Sequence, residues 1–445
     1  MPSSNFFTYL GETILHISMK VTYSKEKINP FGGLNFINST LKRKGVFDFI
    51  DNQLGNRSDL AEYTYSDMIK AMWYTVYSGG DCAEDIEEHL KAYLSSLDSM
   101  KVPSADTLLR VQKELATVKE TILSDTGIEH DYNINEKLNR CNIRLLVHLG
   151  MLYPENENIV FDYDNQFIPT GKYDSKRSYK HKDGYFPGIA MINNMPVYIE
   201  NRNGNSNVKF NQASTLERAY SLLLDEGIKV KRSRMDCGSF VKDIIKTVEK
   251  YSEYFYIRAQ RCEDLYGKIK GIAYWETVEI GFKPYEIASI EYAPFGASKT
   301  YRYVISREKN TDRQLNWETG DDFTYRAILT NDRKKTDKEV IEFYNDRGSS
   351  EKVFDVMNND FNWKKMPFSF LNQNTVYLII MAMCKNVYQY LLKVYSIRVD
   401  FVKPWFRLKK FIFRFITVPV KWIKRGRQNI LKIFSEKPYH LVLDC

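Results

Sequence analysis

A tyrosine, an arginine and a glutamate stand at 344, 347 and 351, in the run Tyr344-Asn345-Asp346-Arg347-Gly348-Ser349-Ser350-Glu351. On a continuous helix, positions i, i+3 and i+7 share one face. An arginine there can fork onto a phosphate, a tyrosine hydroxyl can reach a neighbouring phosphate oxygen, and a carboxylate can hold a divalent metal beside them. The set suits phosphoryl transfer on nucleic acid. The same residues also suit a solvated helix face carrying an i,i+4 Arg347/Glu351 pair. Two upstream aspartates bear on the choice. The run Asn158-Ile159-Val160-Phe161-Asp162-Tyr163-Asp164 alternates apolar and polar side chains after a turn-rich Pro154-Glu155-Asn156-Glu157, and predicts a strand closing on a carboxylate. Ile228 to Asp236 begins after Gly227, alternates for several residues, and breaks at Cys237-Gly238 directly after the acid. Aspartate is a poor strand former, so each is either a surface cap or a functional group.

Taken with Glu351, these residues resemble the acidic triad of the DDE transposases of bacterial insertion sequences, in the cut-and-paste group with a Tyr-Arg-Glu-Lys signature. The resemblance implies a ribonuclease H-like core on whose sheet edge two aspartates and a glutamate converge and bind two Mg2+ ions, or Mn2+. Residue by residue, Asp164 matches the first aspartate, Asp236 the second and Glu351 the glutamate, with Tyr344 and Arg347 as the first two members of the signature. Asp162 is a rival for the first position, because Asn165 and Gln166 follow Asp164 where the family usually has a small residue and then Thr or Ser. The position of the signature lysine holds Asn358, with Lys352, Lys364 and Lys365 nearby. Gly32-Gly33-Leu34, Tyr77-Ser78-Gly79-Gly80 with Asp85-Ile86-Glu87, and Pro103 to Leu108 resemble the amino-terminal part of one subgroup. Asp360-Phe361, Met366-Pro367 and Asn372 follow the glutamate in the family's order, so the likeness spans residues 30–435. It implies an enzyme that binds the terminal inverted repeats of its own element, cuts and rejoins double-stranded DNA including a target, works as a homodimer in the synaptic complex, and has no small-molecule substrate. A DNA-binding protein that keeps the fold without catalysis is the alternative.

Composition limits other classes. The chain has 445 residues, of which 43% are hydrophobic and 14% aromatic, enough for two or three packed domains and too many for disorder. Six cysteines without a CxxC pair fit reduced thiols in a cytosolic protein rather than a disulfide frame or a zinc site, and the resemblance implies a bacterial cytoplasm, near the nucleoid. Six histidines without paired spacing leave hard oxygen ligands, hence magnesium or manganese. Met1 to Phe7 is polar with no basic n-region, and no stretch approaches ~18 uninterrupted apolar residues. The net charge is +8, yet residues 398–437 alone carry twelve basic side chains against Asp400 and Glu436. Among them, Lys409, Lys410, Lys424 and Arg425 interleave with Trp405, Phe406, Phe411, Phe413, Phe415 and Trp422, which suits phosphate contact on one side and packing on the other. An amphipathic helix on a membrane surface would use the same composition.

The elements that must position these groups follow from periodicity. Residues 1–30 read as an arm with little periodicity. Ser66 to Thr75, Ala83 to Leu97 and Ser104 to Leu123 carry apolar residues at helical spacing. A helix-turn-helix within 60–120 would use Asp106 to Lys119 in a DNA groove, with Arg110 and Lys113 near its start. A basic cluster that includes Lys176 and Arg177 follows the first strand and can track a DNA backbone. Residues 155–265 alternate strand and helix patterns, with Gly188 to Ile199 as strands and Ala213 to Glu226 as a helix. The 115 residues separating Asp236 from Glu351 exceed what a compact core needs, and short Tyr-, Ile-, Val- and Thr-rich runs there predict a β-rich insertion. In the family such an insertion contacts the transposon end and a tryptophan can accept a flipped base, which makes Trp275 and Trp317 candidates. The expected α/β organisation is a helical amino-terminal DNA-binding region (1–150), a ribonuclease H-like core (151–269 and 331–395), the β-rich insertion (270–330) and a basic helical carboxy-terminal region (396–445).

Overall fold

The computed structural model describes residues 21–58, 60–296, 299–310, 315 and 320–443. Residues 1–20 of the expected arm lie outside them, and 21–28 run exposed without regular structure. The first ordered elements are α1 (Gly33–Arg43), α2 (Val46–Leu54), α3 (Tyr65–Tyr77), α4 (Lys91–Leu94) and α5 (Ala105–Glu114). Thr64 and Asp67 cap α3 reciprocally, each side chain accepting from the other's backbone N–H, and Ser104 caps α5 through the Thr107 N–H. A hairpin of β1 (Glu120–Leu123) and β2 (Glu129–Asn133) precedes α6 (Glu136–His148). This corrects the helix expected to run from Ser104 to Leu123. α5 stops at Glu114, and the β-branched Thr121 and Ile122 continue as an edge strand paired with Asp131 and His130.

Twelve further strands and three helices build the centre. They are β3 (Val160–Asn165), β4 (Ile168–Pro169), β5 (Lys176–Arg177), β6 (Asp183–Tyr185), β7 (Gly188–Ile192), β8 (Met195–Arg202), α7 (Gln212–Asp225), β9 (Val230–Met235), α8 (Lys242–Tyr251), β10 (Ser252–Arg258), α9 (Glu263–Lys270), β11 (Glu276–Ile280) and β12 (Lys283–Tyr292), followed by β13 (Tyr301–Lys309) and β14 (Phe323–Thr330). Eleven strands form one sheet in the order β1-β2-β8-β7-β3-β9-β10-β14-β13-β12-β11, while β4, β6 and β5 make a small separate sheet. Strand β7 runs antiparallel to both β8 and β3, whereas β9 lies parallel to both β3 and β10. The expected insertion is therefore a continuation of this sheet: β14 pairs antiparallel with β10, placing Tyr256 opposite Thr330. The apolar faces of α7 and α8 close a core with Phe161, Ala190, Val197, Met235 and Phe255.

The last elements are α10 (Asp337–Asn345), α11 (Ser349–Asp360), α12 (Leu371–Ser396), α13 (Leu408–Phe411), β15 (Val420–Arg425) and β16 (Gln428–Ile433). α12 is apolar nearly all round and lies buried, as such a helix must. It packs with α3 in a second core, where the Trp73 indole N–H donates to the Ile380 carbonyl (3.1 Å) and the Tyr77 hydroxyl to the Cys384 carbonyl (2.8 Å). The helix expected across the basic carboxy-terminal region is short, and a hairpin of β15 and β16 replaces the rest. Val420-Lys421-Trp422-Ile423 alternates at period two, and Gly426 at φ +62° supplies the left-handed turn residue such a hairpin needs. Its base is clamped to the amino end by Gly32 and Gly33, since a Cβ on Gly32 would fall 2.2 Å from Val420 Cγ1 and one on Gly33 2.2 Å from the Phe415 carbonyl oxygen. Among the described residues, no helix is long and apolar enough to cross a membrane.

Candidate active site

Parallel pairing of β3 with β9 sets Tyr163 opposite Met235, so Asp164 and Asp236 are the next residues on adjacent strands. Asp236 ends its strand because its carboxylate turns back to accept the Gly238 N–H at 3.0 Å, opening a tight turn. The Asp164 carboxylate accepts from the Arg347 guanidinium at 2.7 Å, with both side chains mostly buried. Burial is the main force on this carboxyl and pushes its pKa up to about 6. Arg347 pulls the other way, and repulsion from Asp236 and then Glu351 adds to the rise. The three acids thus share one electrostatic neighbourhood. Glu351 is exposed in the first turn of α11.

Tyr344, Arg347 and Glu351 do not lie on one continuous helix as the spacing predicted. α10 ends at Asn345, a 310 turn spans Asp346–Gly348, and α11 starts anew at Ser349. The turn delivers Arg347 inward. Its pKa stays above the ordinary value although burial opposes its charge, because Asp164, Tyr344 and Asp236 favour the cation. Its Nε is buried without a hydrogen-bond partner. The Tyr344 hydroxyl is buried and donates to the Met235 carbonyl at 3.1 Å, one residue before Asp236, and burial pushes its pKa up to about 12.

Asp162 shares the face of Asp164 but is committed elsewhere. Both its oxygens accept from Arg234, each at 2.7 Å, and Arg234 also donates to the Phe343 carbonyl and lies against the Phe343 ring. The sequence reading passed over Arg234, though its place two residues before Asp236 puts it on the same strand face. It also passed over Glu200, a fully buried carboxylate on β8 that accepts from Thr215 and Arg218. Glu200 pairs with Gly188, which pairs with Asn165, the neighbour of Asp164. Both amide atoms of Asn165, Oε1 of Gln166 and Oδ1 of Asn358 are buried without partners.

The remaining candidates are dispersed. Arg110, Arg177, Lys409, Lys410, Lys424 and Arg425 are exposed. Lys113 sits 5.8 Å above the Phe368 ring, and Lys176 is engaged with the Glu129 carbonyl and Asp131. One face of the Trp275 indole is covered by the Arg307 guanidinium at 4.2 Å, and Trp317 lies outside the described residues. A hard divalent cation fits the donors at Asp164, Asp236 and Glu351, which are all carboxylate oxygens whose mutual repulsion it would relieve. Among the described residues, the group whose ligand atoms all lie within 4.8 Å of one another is Asp81, Cys82 and Asp85, and not these three acids.

The chain is similar, at 12% identity and a TM-score of 0.40, to a piggyBac transposase in a synaptic complex with hairpin DNA, over 87% of this chain and 80% of that one. A likeness that shallow carries no function across. No curated protein matches the chain. The sequence pattern of the family described as transposase DDE domain group 1 matches residues 13–444, nearly the whole chain, and the protein belongs to that family.

Proposed function

We propose that this DDE-family transposase binds the terminal inverted repeats of an insertion sequence and cleaves and rejoins DNA at Asp164, Asp236 and Glu351. The observation that carries the reading is the gathering of these acids at the ends of β3 and β9 and the start of α11, with Arg347 set on Asp164. The strand arrangement supports a ribonuclease H-like core, since β8, β7 and β3 form an antiparallel meander against which β9 and β10 run parallel to β3. The carboxylates would hold two divalent ions, Mg2+ or Mn2+, which when bound supply charge to activate an attacking water or 3'-hydroxyl and to stabilise the leaving oxygen. Arg347 supplies a planar donor fork beside the acids, one nitrogen of which is held by Asp164. Tyr344 acts from beneath, fixing the Met235 carbonyl and with it the backbone that presents Asp236. Asp162 is assigned a structural role by its paired bonds to Arg234, which favours Asp164 as the first ligand. Exposed Arg110, Arg177, Lys409 and Lys410 are candidates for the duplex backbone, and a homodimer would bring two ends together.

Asn358, at the position of the signature lysine, favours a second reading in which the fold binds DNA without cutting it. One assay separates the two: cleavage of an end-containing duplex with Mg2+ or Mn2+ by the wild type and by Asp164→Ala, Asp236→Ala and Glu351→Ala. The expected result is cleavage by the wild type alone, with DNA binding kept in all three variants. Cleavage by Glu351→Ala would overturn the catalytic assignment, and an inactive wild type that still binds would favour the second reading.

A further inference from the structure

The carboxy-terminal hairpin has properties that folding alone does not require. Residues 420–433 carry Lys421, Lys424, Arg425, Arg427 and Lys432 and no acid. Lys421 stands directly opposite Lys432 across the strands, a like-charge pairing that destabilises an isolated hairpin. Only Lys421 is ion-paired, to Glu26 at 3.2 Å; among the described residues no carboxylate pairs with Lys424, Arg425, Arg427 or Lys432. The two faces differ. Val420, Leu431 and Ile433 pack into the core beside Phe36, anchored at the base by the glycine clamp. Seven consecutive residues, Lys424 to Ile430, are exposed around the Gly426 turn. At ~3.4 Å per residue along each strand, this tip projects roughly 10 Å from its anchored base.

We propose that the β15–β16 hairpin is a ribbon arm that enters a groove of duplex DNA. The proposal rests on the transposase reading above and extends it to how the substrate is held. The partner follows from charge and shape. Three unpaired cations at the tip and two along the stem match a polyanion, and a major groove about 12 Å wide and about 8.5 Å deep admits a two-stranded ribbon of this projection. Gln428 and Asn429 lie at the tip beside the cations, and their amides are the side chains suited to adenine edges. Lys424, Arg425 and Arg427 are placed to reach the flanking phosphates.

The test is binding of an end-containing duplex by the full chain over roughly 50 to 200 mM salt, where each phosphate contact contributes about 0.9 to the log-log slope. Replacing Lys424, Arg425 and Arg427 together by Ala should lower the slope by about 2.7 with an unchanged thermal midpoint, whereas exchanging Arg and Lys at these three sites should keep it. If the triple variant does not fold, Arg427→Gln alone should lower the slope by about 0.9. A slope unchanged in these variants would overturn the proposal. So would an unchanged slope accompanied by lost binding to phosphatidylserine vesicles, which would assign the arm to a membrane surface. Glu351→Ala separates this proposal from the catalytic one, because it should lose cleavage and keep the full slope.

Discussion

Replacing Arg347 by Met removes the cation that, among the described residues, contacts Asp164, and leaves a buried carboxyl already pushed up to about 6. At a separation of ~4 Å and an effective dielectric of about 20, a unit charge pair is worth about 4 kcal/mol, nearly three pKa units. A third of that suffices. One unit moves the carboxyl to about 7, so that the ionised share at neutral pH falls from about nine-tenths to about half. At limiting Mg2+ the proton competes with the metal for Asp164, so the acid limb of single-turnover cleavage should move up by about one pH unit or more in Arg347→Met. Arg347→Lys keeps the charge and should move the limb less, but it loses the planar fork, and its plateau rate should fall about tenfold, roughly 1.4 kcal/mol. A carbon-detected titration of Asp164 in chelator-treated protein reads the first effect without turnover. An unmoved Asp164 titration and an unmoved limb in Arg347→Met would refute the coupling, and wild-type plateau rates in Arg347→Lys would refute the clamp.

Two further outcomes follow from buried charge. Asp162→Ala strands the Arg234 guanidinium in the core and should cost about 3 to 5 kcal/mol in denaturant melts, whereas Asp164→Ala strands the less buried Arg347 and should cost less; lost cleavage with an unchanged midpoint in Asp162→Ala would make Asp162 the ligand. Burial lowers the Lys385 ammonium to about 7, below its ordinary value, so the folded state binds fewer protons than the unfolded chain between about 7 and about 10.5, and stability rises with pH across that window. A shift of that size is worth about 5 kcal/mol below pH 7, less about 3 for the bonds to the Asn194 carbonyl and Gln389; Lys385→Met should thus stabilise by about 2 kcal/mol in mildly acid buffer, and an equal effect at acid and alkaline pH would refute this.

The placing of Asp164 and Asp236 at the ends of adjacent strands was legible because each closes an alternating run at a turn, a local pattern that survives folding. The pairing of Asp162 with Arg234 was not legible, since it joins residues 72 apart through the strand register that brings the two together. The helix through 344–351 is interrupted by the 310 turn at Asp346–Gly348, where Asp346 and Gly348 are weak helix formers and the contact of Arg347 with Asp164 rewards a turn. Strands in 270–330 were visible, but their union with the main sheet is a non-local pairing of β10 with β14. In the carboxy-terminal region the composition was plain and its period was misread: the basic-aromatic run was taken for a helix, although Gly426 marked a hairpin turn.

The bonds from Trp73 to Ile380 and from Tyr77 to Cys384 each tie together residues 307 apart. During synthesis the amino-terminal helices leave the ribosome long before the helix that covers them exists. Loop closure over that span is slow, so the nascent chain waits with its aromatic face open until translation is nearly finished. Glu351 is made in the same late stretch. A polypeptide stopped before Glu351 would lack both α12 and the proposed third acid, and the apolar face of α3 would stay open to water.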